Sequence, residues 1–361
     1  MGGSGAILLL SWGYVLLLLG WFILHRRFGD GRWQLALLAP FAPHFFWPVL
    51  AQVAVLFWLS PALIWLGALA LMPPLLIFGW LYADYFGRKA IPVSIEAGTT
   101  FSLMTFNIWW QSQQRTTARI PLALGEQYGA MPHVVAFQEL LPQMAQRVAA
   151  ETAQYYPHQL FDVGEAVAAR RLGVISRYAL EPVDASHLQA KDFRVQLVRI
   201  HTPARPILFY NIHPRATLIV RYLREGGPLG PKVTHSFAQR RVYFAQLLAD
   251  IASRREPIVV AGDFNSTDRS DVYKLMRGPL IDVHRTVGKG WGHTFPMHGA
   301  DFGGLPVPHR LMRLDMIFCS PELVPVSCRV VHMHGESDHL PVLTTLGWHH
   351  KKIGFNRISS G

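Results

Sequence analysis

The hydrophobic positions divide the chain into two parts with different patterns. Ala6 to Leu24 is a run of 19 residues without a formal charge, and Trp33 to Ala83 is a run of 51 residues without Asp, Glu, Lys or Arg. A helix needs about 20 apolar residues to cross a bilayer. The first run therefore predicts one membrane-spanning helix, and the second predicts two with a break near Ser60 and Pro61. Two spans in all is the alternative count.

After about residue 100 the pattern changes to short apolar segments separated by polar turns, which is typical of β-strands. Phe244, Leu247, Leu248 and Ile251 repeat at helical spacing and predict a helix from about Phe237 to Arg254. Strands mixed with helices over about 250 residues predict one α/β domain with two sheets. The predicted strands are Ser102–Phe106, Val134–Phe137, Gly173–Ile175, Phe193–Ile200, Ile207–Ile212, Ile258–Ala261, Leu314–Phe318, Arg329–Met333 and Val342–Leu346.

The order of charges around the first apolar run favours a retained anchor over a cleaved signal peptide. A signal peptide has basic residues before its apolar run, whereas here Arg26, Arg27 and Arg32 follow it. We therefore predict a transmembrane anchor of about three helices over residues 1–90, a linker over 91–99, a catalytic domain over 100–348 and a tail over 349–361.

Composition excludes both a disordered chain and a wholly soluble fold, because 50% of the residues are hydrophobic and only 16% are charged. The formal net charge is +11, and the five basic and two acidic residues up to Lys89 leave +8 for the rest. A basic domain attracts phosphate-bearing partners such as nucleic acid or anionic lipid headgroups. The two cysteines, Cys319 and Cys328, are too few for a disulfide scaffold or a thiolate zinc site.

Acidic, amide and imidazole side chains follow or precede the apolar strands. Strand ends of a layered α/β fold converge on one rim, so we expect these side chains to meet. Carboxylates and amides without cysteine form the oxygen-rich kind of site that holds Mg²⁺ or Mn²⁺ together with phosphate oxygens. The residues in question are Asn107, Glu139, His213, Asp263, Asn265, Asp315, Asp338 and His339.

These residues lie in motifs that resemble the endonuclease/exonuclease/phosphatase superfamily, whose members share the DNase I-like fold. The resemblance covers roughly Thr100 to Trp348, and its motifs appear in the family's order. It implies a two-sheet α/β sandwich. The motifs are Thr-Phe-Asn107, Phe-Gln-Glu139, Asn211-Ile-His213, Gly-Asp263-Phe-Asn265, Arg-Leu-Asp315 and Ser-Asp338-His339.

The resemblance also implies roles for the individual residues. Glu139 would be the principal metal ligand, with Asn107 and Asp338 as further ligands. Asp263 would orient or deprotonate the attacking water, and Asn265 would bind the scissile phosphate. Asp315 would fix the tautomer of His339, which would act in acid/base chemistry, and His213 would be a further catalytic residue.

Three more residues are expected to bind substrate: Arg177, Trp109 and Thr294. Arg177 ends a segment that resembles the one before the family's central strands, and Thr294 lies in a loop that resembles a cleft-bordering loop. Trp109 and the adjacent Trp110 are unusual for the family at this place. They would stack on a base, insert into a bilayer interface, or be buried under the first helix of the domain.

The sequence thus predicts a multi-pass membrane protein with a cytoplasmic, Mg²⁺- or Mn²⁺-dependent phosphoesterase domain. Its expected substrate is a membrane-proximal phosphodiester such as a lipid headgroup. A membrane-tethered nuclease acting on DNA or RNA is the alternative, and a catalytically inactive binding module is a third reading. The bilayer is an expected partner, and no obligatory protein partner is evident from the sequence.

Overall fold

The computed structural model describes residues 3–59, 64–86, 95–112, 114–162, 171–217, 219–297 and 308–349. The chain forms two compact units. The first, here the helical unit, comprises Met1–Gly87, Ala216–Phe244 and Ser266–Leu275. The second, the sheet unit, comprises Arg88–Arg215, Ala245–Asn265 and Met276–Gly361. The predicted domain boundaries at 90, 99 and 348 stay predictions, and the predicted break at Ser60 and Pro61 lies outside the described residues.

Three segments of the helical unit are long and apolar enough to cross a membrane: Gly5–Gly31, Trp33–Trp58 and Ile64–Phe86. This agrees with the predicted count of three. The second segment is not a continuous α-helix, because Ala39–Phe46 is a 3-10 helix that contains Pro40 and Pro43, and proline cannot donate the backbone hydrogen bond of an α-helix. The helices of this region are α1 (Gly3–Phe28), α2 (Trp33–Leu38), α3 (Trp47–Leu59) and α4 (Ile64–Phe86).

The sheet unit contains two six-stranded sheets. The first has the strand order β11-β12-β1-β2-β4-β3 and the second has the order β5-β6-β7-β8-β10-β9. The strands are β1 (Phe101–Asn107), β2 (Val134–Leu140), β3 (His158–Phe161), β4 (Arg171–Ser176), β5 (Leu180–Val183), β6 (Phe193–His201), β7 (Pro206–Pro214), β8 (Ile258–Asp263), β9 (Ile281–Asp282), β10 (Asp315–Cys319), β11 (Leu323–Val330) and β12 (Val342–Trp348).

Seven further α-helices and two short 3-10 helices, Gly29–Gly31 and Ser186–Leu188, complete the described elements. The longest, α9, begins at Leu229 rather than at the predicted Phe237, because the early proline Pro231 is compatible with the first turn of a helix. These α-helices are α5 (Arg115–Ala118), α6 (Ile120–Tyr128), α7 (Pro142–Thr152), α8 (Ile219–Arg224), α9 (Leu229–Ser253), α10 (Asp271–Arg277) and α11 (Val283–Val287).

The two sheets enclose a common apolar core. Leu103 and Ala136 of the first sheet belong to the same buried cluster as Phe209, Val259 and Ile317 of the second. The outer face of the first sheet packs on α6 and α7 through a second cluster that includes Phe106, Phe137, Leu124 and Val148. The predicted two-sheet α/β architecture is therefore confirmed.

Strand direction brings several strand ends to the same edge. Strand β1 runs parallel to β2, with Asn107 opposite Gln138, and β7 runs parallel to β8. Strands β12 and β10 are antiparallel to β1 and β8, so each begins where its neighbour ends. The ends of β1, β2, β7 and β8 and the starts of β10 and β12 thus define the edge at which the polar residues lie.

Eight of the nine predicted strands coincide with observed ones, and the remaining one is displaced. The strand predicted at Arg329–Met333 lies earlier, at Leu323–Val330, and crosses a bulge between Pro325 and Ser327 that interrupts its alternation. Strands β3, β5 and β9 were not predicted. Strands β3 and β5 are short and partly exposed, and β9 has only two residues, so none of them has an apolar run.

Candidate active site

The two sheets meet at this edge through a hydrogen bond between side chains. Asn107 at the end of β1 donates from Nδ2 to Oδ2 of Asp263 at the end of β8, at 3.0 Å. Asn107 also accepts at Oδ1 from the backbone N–H of Trp109, at 3.0 Å. Both side chains are almost fully buried. The predicted convergence of Asn107 and Asp263 is therefore present in the structure, although they come from different sheets.

Glu139 lies near the end of β2 and faces the same place. Its Oε2 accepts from the backbone N–H of Trp110 at 3.2 Å. Its Oε1 lies 3.4 Å from Nε2 of His213, which is also 3.7 Å from Oδ2 of Asp263. His213 thus lies between two carboxylates, one from each sheet.

His339 and Asp315 form a buried imidazole–carboxylate pair. Nδ1 of His339 lies 2.7 Å from Oδ2 of Asp315, and Nε2 lies 3.8 Å from Oδ2 of Asp263. Burial opposes the charged imidazolium, but the negative charges of Asp315 and Asp263 raise the pKa of His339 well above its ordinary value. The arrangement therefore favours a protonated His339 whose Nε2 faces Asp263.

Asp263 and Asn265 form a tight turn after β8. Oδ1 of Asp263 accepts from the backbone N–H of Asn265 at 2.8 Å, and Asn265 donates from Nδ2 to Oδ2 of Asp263 at 3.0 Å and to the carbonyl of Pro214 at 2.9 Å. Burial raises the pKa of Asp263, although His339 opposes this. A carboxylate with a raised pKa is a better proton acceptor at neutral pH.

Backbone strain is concentrated at this edge. Of the four non-glycine residues with positive φ in the described part of the chain, three belong to it: Trp109 (61°), Glu139 (60°) and Asn265 (45°). Residues in this conformation are energetically costly and cluster at functional sites. Gly262 has a φ of 151°, and a Cβ atom there would lie 2.0 Å from the carbonyl oxygen of Ile212. Only glycine allows β8 to approach β7 so closely just before Asp263.

The residues present fit a divalent metal ion. Asp263, Asp315 and His339 offer ligand atoms that lie within 4.8 Å of one another. Asp338 is mostly buried, and burial raises its pKa to about 6. Within the described residues, Oδ1 of Asp338 and Oδ1 of Asp315 are buried and accept no hydrogen bond. Buried carboxylate oxygens without a partner are costly, and a cation would compensate them.

Two predicted substrate contacts are not supported by their positions. Arg177 follows β4, which is antiparallel to β2 and pairs Ser176 with Val134, so Arg177 lies at the opposite end of the sheet from Glu139. Thr294 is fully buried, and its hydroxyl accepts from the backbone N–H groups of Leu314 and Asp315, at 3.3 Å each. Thr294 supports the strand that carries Asp315.

Trp109 is half-buried beside Asn107, and its contact with a substrate stays a prediction. The adjacent Trp110 is 38% exposed, so the interpretation that both tryptophans are buried under a helix does not hold for Trp110.

Sequence reasoning missed a buried polar network behind the edge. Gln138 donates to Oδ1 of Asn211 at 2.7 Å, and Asn211 donates to the carbonyls of Phe137 and Gly173, so the network joins β2, β4 and β7 across the two sheets. The available signal was the occurrence of amide side chains inside otherwise apolar strands.

The role of Ser337 was also missed. Its hydroxyl donates to the carbonyl of Asn107 at 2.6 Å and accepts from the backbone N–H of His339 at 3.0 Å. Ser337 thereby connects the end of β1 to the segment that holds His339. Its place directly before Asp338 and His339 was the signal in the sequence.

Comparisons with known proteins agree with this architecture. TDP2 of D. rerio, solved in complex with a single strand DNA product, is similar with a TM-score of 0.51 and 18% identity, over 69% of this chain and 99% of the other. A functionally unknown conserved protein from Enterococcus faecalis is similar with a TM-score of 0.50 and 14% identity, over 69% and 100%. At these identities the likeness shows the fold. The comparison with curated proteins finds no match.

The family relationship comes from the sequence itself. The model of the Endonuclease/Exonuclease/phosphatase family matches residues 104–339, well over half of the chain, and this range includes every strand-end residue from Asn107 to His339. The chain therefore belongs to the Endonuclease/Exonuclease/phosphatase family, whose members are hydrolases acting on phosphoric ester bonds.

Proposed function

We propose that this protein is a membrane-anchored, divalent-metal-dependent phosphodiesterase whose substrate is a membrane-proximal phosphodiester. The observation that supports the chemistry most directly is the meeting of Asn107, Glu139, Asp263, Asp315 and His339 at one edge of two sheets. This edge provides carboxylates for a cation, an amide for phosphate and a histidine that favours its protonated form.

Glu139, Asn107 and Asp338 would hold the metal ion. Their oxygen ligands suit Mg²⁺ or Mn²⁺. When bound, such an ion neutralises charge on phosphoryl oxygens and lowers the pKa of water. Asp315 is already paired with His339 at 2.7 Å, which supports a positioning role for Asp315 rather than a role as the principal ligand.

The remaining residues would act directly on the phosphate ester. Asp263 would accept a proton from the attacking water as the water oxygen forms its bond to phosphorus. The bond to the leaving alkoxide breaks, and solvent water protonates that alkoxide. Asn265 would donate to a phosphate oxygen by giving up one of its two present amide hydrogen bonds, to Asp263 or to the carbonyl of Pro214. Protonated His339 faces the developing negative charge on the phosphoryl oxygens, which is where a fixed positive charge lowers the barrier most.

The preference for a membrane-proximal substrate rests on the apolar helices. A domain tethered to a bilayer meets lipid headgroups at a much higher effective concentration than soluble polymers. The formal charge of +8 after Lys89 would also hold the domain against an anionic leaflet.

A membrane-tethered nuclease is the second candidate, and it is favoured by the same positive charge. Basic domains bind nucleic acid by releasing counterions, so their affinity falls steeply with salt. TDP2 of D. rerio, which shares the fold, was solved with a single strand DNA product. An inactive binding module is less favoured because carboxylate, amide and imidazole groups occupy all the expected positions.

The two candidates separate in one experiment on the full-length protein in nanodiscs. Hydrolysis is measured in parallel with phospholipid vesicles, single-stranded DNA and plasmid DNA, at salt concentrations from about 20 to about 300 mM. Glu139→Gln is the inactive control. We expect metal-dependent release of phosphorylated headgroup from vesicles and little action on DNA. Strongly salt-suppressed cleavage of DNA with no action on vesicles would instead establish the nuclease.

A further inference from the structure

The segment that follows Asn265 belongs to the helical unit. Ser266–Leu275, here the docking segment, begins one peptide bond after Asn265 and is grouped with the apolar helices α1 to α4. Within the helical unit, polar contacts from three different elements fix this segment.

The end of the first apolar helix region contacts the docking segment through two reciprocal hydrogen bonds. The backbone N–H of Asp271 donates to Oδ2 of Asp30 at 2.7 Å, and the backbone N–H of Asp30 donates to Oδ2 of Asp271 at 3.0 Å. Asp30 is only 3% exposed. Gly29 has a φ of 51°, and a Cβ atom there would lie 2.2 Å from Oδ1 of Asp271, so the two segments of the chain are in close contact.

The last apolar helix contacts the same segment through aromatic residues. The hydroxyl of Tyr85 donates to Oδ2 of Asp268. The guanidinium of Arg269 lies over the ring of Tyr82, 4.9 Å from its centroid. Tyr82 and Tyr85 are fully buried on α4, so these contacts are shielded from water.

A buried arginine on α9 holds the beginning of the segment. Arg240 is 3% exposed and donates from Nη1 to the hydroxyl of Ser266 and from Nη2 to the hydroxyl of Thr217, at 3.0 Å each. Ser266 follows Asn265 directly in the chain. A shift of Ser266 would therefore move Asn265 through the peptide bond that joins them.

We infer that the apolar helices position Asn265 for catalysis by fixing the docking segment, with Asp30 and Tyr85 as positioning residues. The apolar helices then have a role in positioning Asn265 besides anchoring the chain. This inference rests on the proposed function, because it assumes that Asn265 binds the scissile phosphate. Small displacements of a positioned group are enough to slow a reaction strongly.

The test uses the full-length protein in nanodiscs and the soluble substrate bis(p-nitrophenyl) phosphate, so that tethering to lipid does not affect the rate. Tyr85→Phe removes one hydroxyl from the docking contact, and Asp30→Ala removes an acceptor. Tyr14→Phe is the matched control, because the hydroxyl of Tyr14 donates to the carbonyl of Phe45 at 3.0 Å within the apolar helices. Asp30→Asn retains an acceptor oxygen and serves as the conservative variant.

We expect Asp30→Ala and Tyr85→Phe to lower kcat by roughly tenfold while the KM and the metal concentration for half-maximal activity change little, since the metal ligands are not in the docking segment. Asp30→Asn should recover most of the rate, and Tyr14→Phe should match the wild type. Equal loss in Tyr14→Phe and Tyr85→Phe, or no loss in either docking variant, would overturn the inference.

Hydrogen exchange gives a readout that needs no activity. The backbone N–H of Asn265 is hydrogen-bonded to Asp263, and we expect its exchange to accelerate by roughly tenfold in Asp30→Ala and in Tyr85→Phe but not in Tyr14→Phe. If the wild type proves inactive and exchange still accelerates, the docking role stands and the proposed function fails. Unchanged exchange at Asn265 in both docking variants would overturn the docking role.

Discussion

At the scale of single residues, the pair formed by His339 and Asp315 decides the protonation of the site. Asp315 accepts at 2.7 Å on the Nδ1 side of the ring, which leaves Nε2 facing Asp263. A carboxylate in this position holds an imidazole in one orientation and stabilises its charged form.

Asp315→Asn should therefore retain metal binding and lower turnover by more than roughly tenfold, because His339 loses the charge that raises its pKa and the acceptor that fixes its orientation. Metal affinity is measured by titration of Mn²⁺, and turnover with bis(p-nitrophenyl) phosphate. A fall in metal affinity as large as that of Glu139→Gln would make Asp315 a ligand, as its proximity to Asp263 and His339 also allows.

Arg177 and Thr294 are predicted substrate contacts whose positions in the structure do not support that role. Arg177 lies close to an expected motif, but the direction of β4 takes it to the opposite end of the sheet. Thr294 was assigned to a cleft-bordering loop, yet its hydroxyl is used by the backbone of Leu314 and Asp315. Strand direction and burial are properties of the packed sheets, whereas the strand-end pattern depends only on local sequence.

Among the elements of the sheet unit, α9 is connected to β7 by hydrogen bonds to the carboxylate of Asp250. Its carboxylate accepts from the hydroxyl of Tyr210 at 2.5 Å and from Arg254 at 2.8 Å, and it lies 3.0 Å from Nε2 of His187. Burial acts to raise the pKa of Asp250, but these hydrogen bonds outweigh it and lower the pKa below its ordinary value.

Asp250→Asn should lower the free energy of unfolding by about 1–3 kcal/mol at pH 7, the range for charge-assisted hydrogen bonds at a side chain only 8% exposed. Because the folded-state pKa is depressed, this stability is present above the unfolded-state pKa of about 4 and is lost as the pH falls below it. Thermal unfolding of both proteins should therefore converge at acidic pH. Asp192→Asn, which breaks an exposed ion pair with Arg215, is the control and should cost less than about 1 kcal/mol. A difference that grows on acidification would contradict this account.

Most of the central strands were predictable because their apolar runs end in polar residues, as at Phe106 and Asn107. The docking segment was not predictable, because Asp30 and Asp271 are 241 positions apart and neither lies in a distinctive motif. Sequence periodicity indicates which residues are buried within an element. It does not indicate from which distant backbone N–H a buried carboxylate accepts a hydrogen bond.

At the scale of the whole molecule, the distribution of basic residues predicts the orientation in the membrane. Arg26, Arg27 and Arg32 follow the first uncharged run, Ala6 to Leu24. Arg88 and Lys89, which lie outside the described residues, follow the last apolar helix, whereas the sequence near Ser60 has no basic residue. From the positive-inside rule we predict that the first loop and the sheet unit face the cytoplasm.

Reporter fusions at Ser60 and Gly361 should therefore report opposite sides of the membrane, with Gly361 in the cytoplasm. Replacing Arg26, Arg27 and Arg32 together with Gln should produce a mixture of orientations, because it removes the charges that retain the first loop. An external reporter at Gly361 in the unaltered protein would refute this topology.

The metal dependence of hydrolysis by the full-length protein shows whether the edge formed by both sheets is a divalent-metal phosphoesterase site. The rate on bis(p-nitrophenyl) phosphate is measured in chelator and during titration with Mg²⁺ or Mn²⁺, for the wild type, Glu139→Gln and the exposed control Glu181→Gln. We expect no turnover in chelator, recovery with either metal, a loss of about 100-fold in Glu139→Gln at saturating metal and no loss in Glu181→Gln. Unchanged turnover in chelator, or a Glu139→Gln variant as active as the wild type, would contradict this expectation.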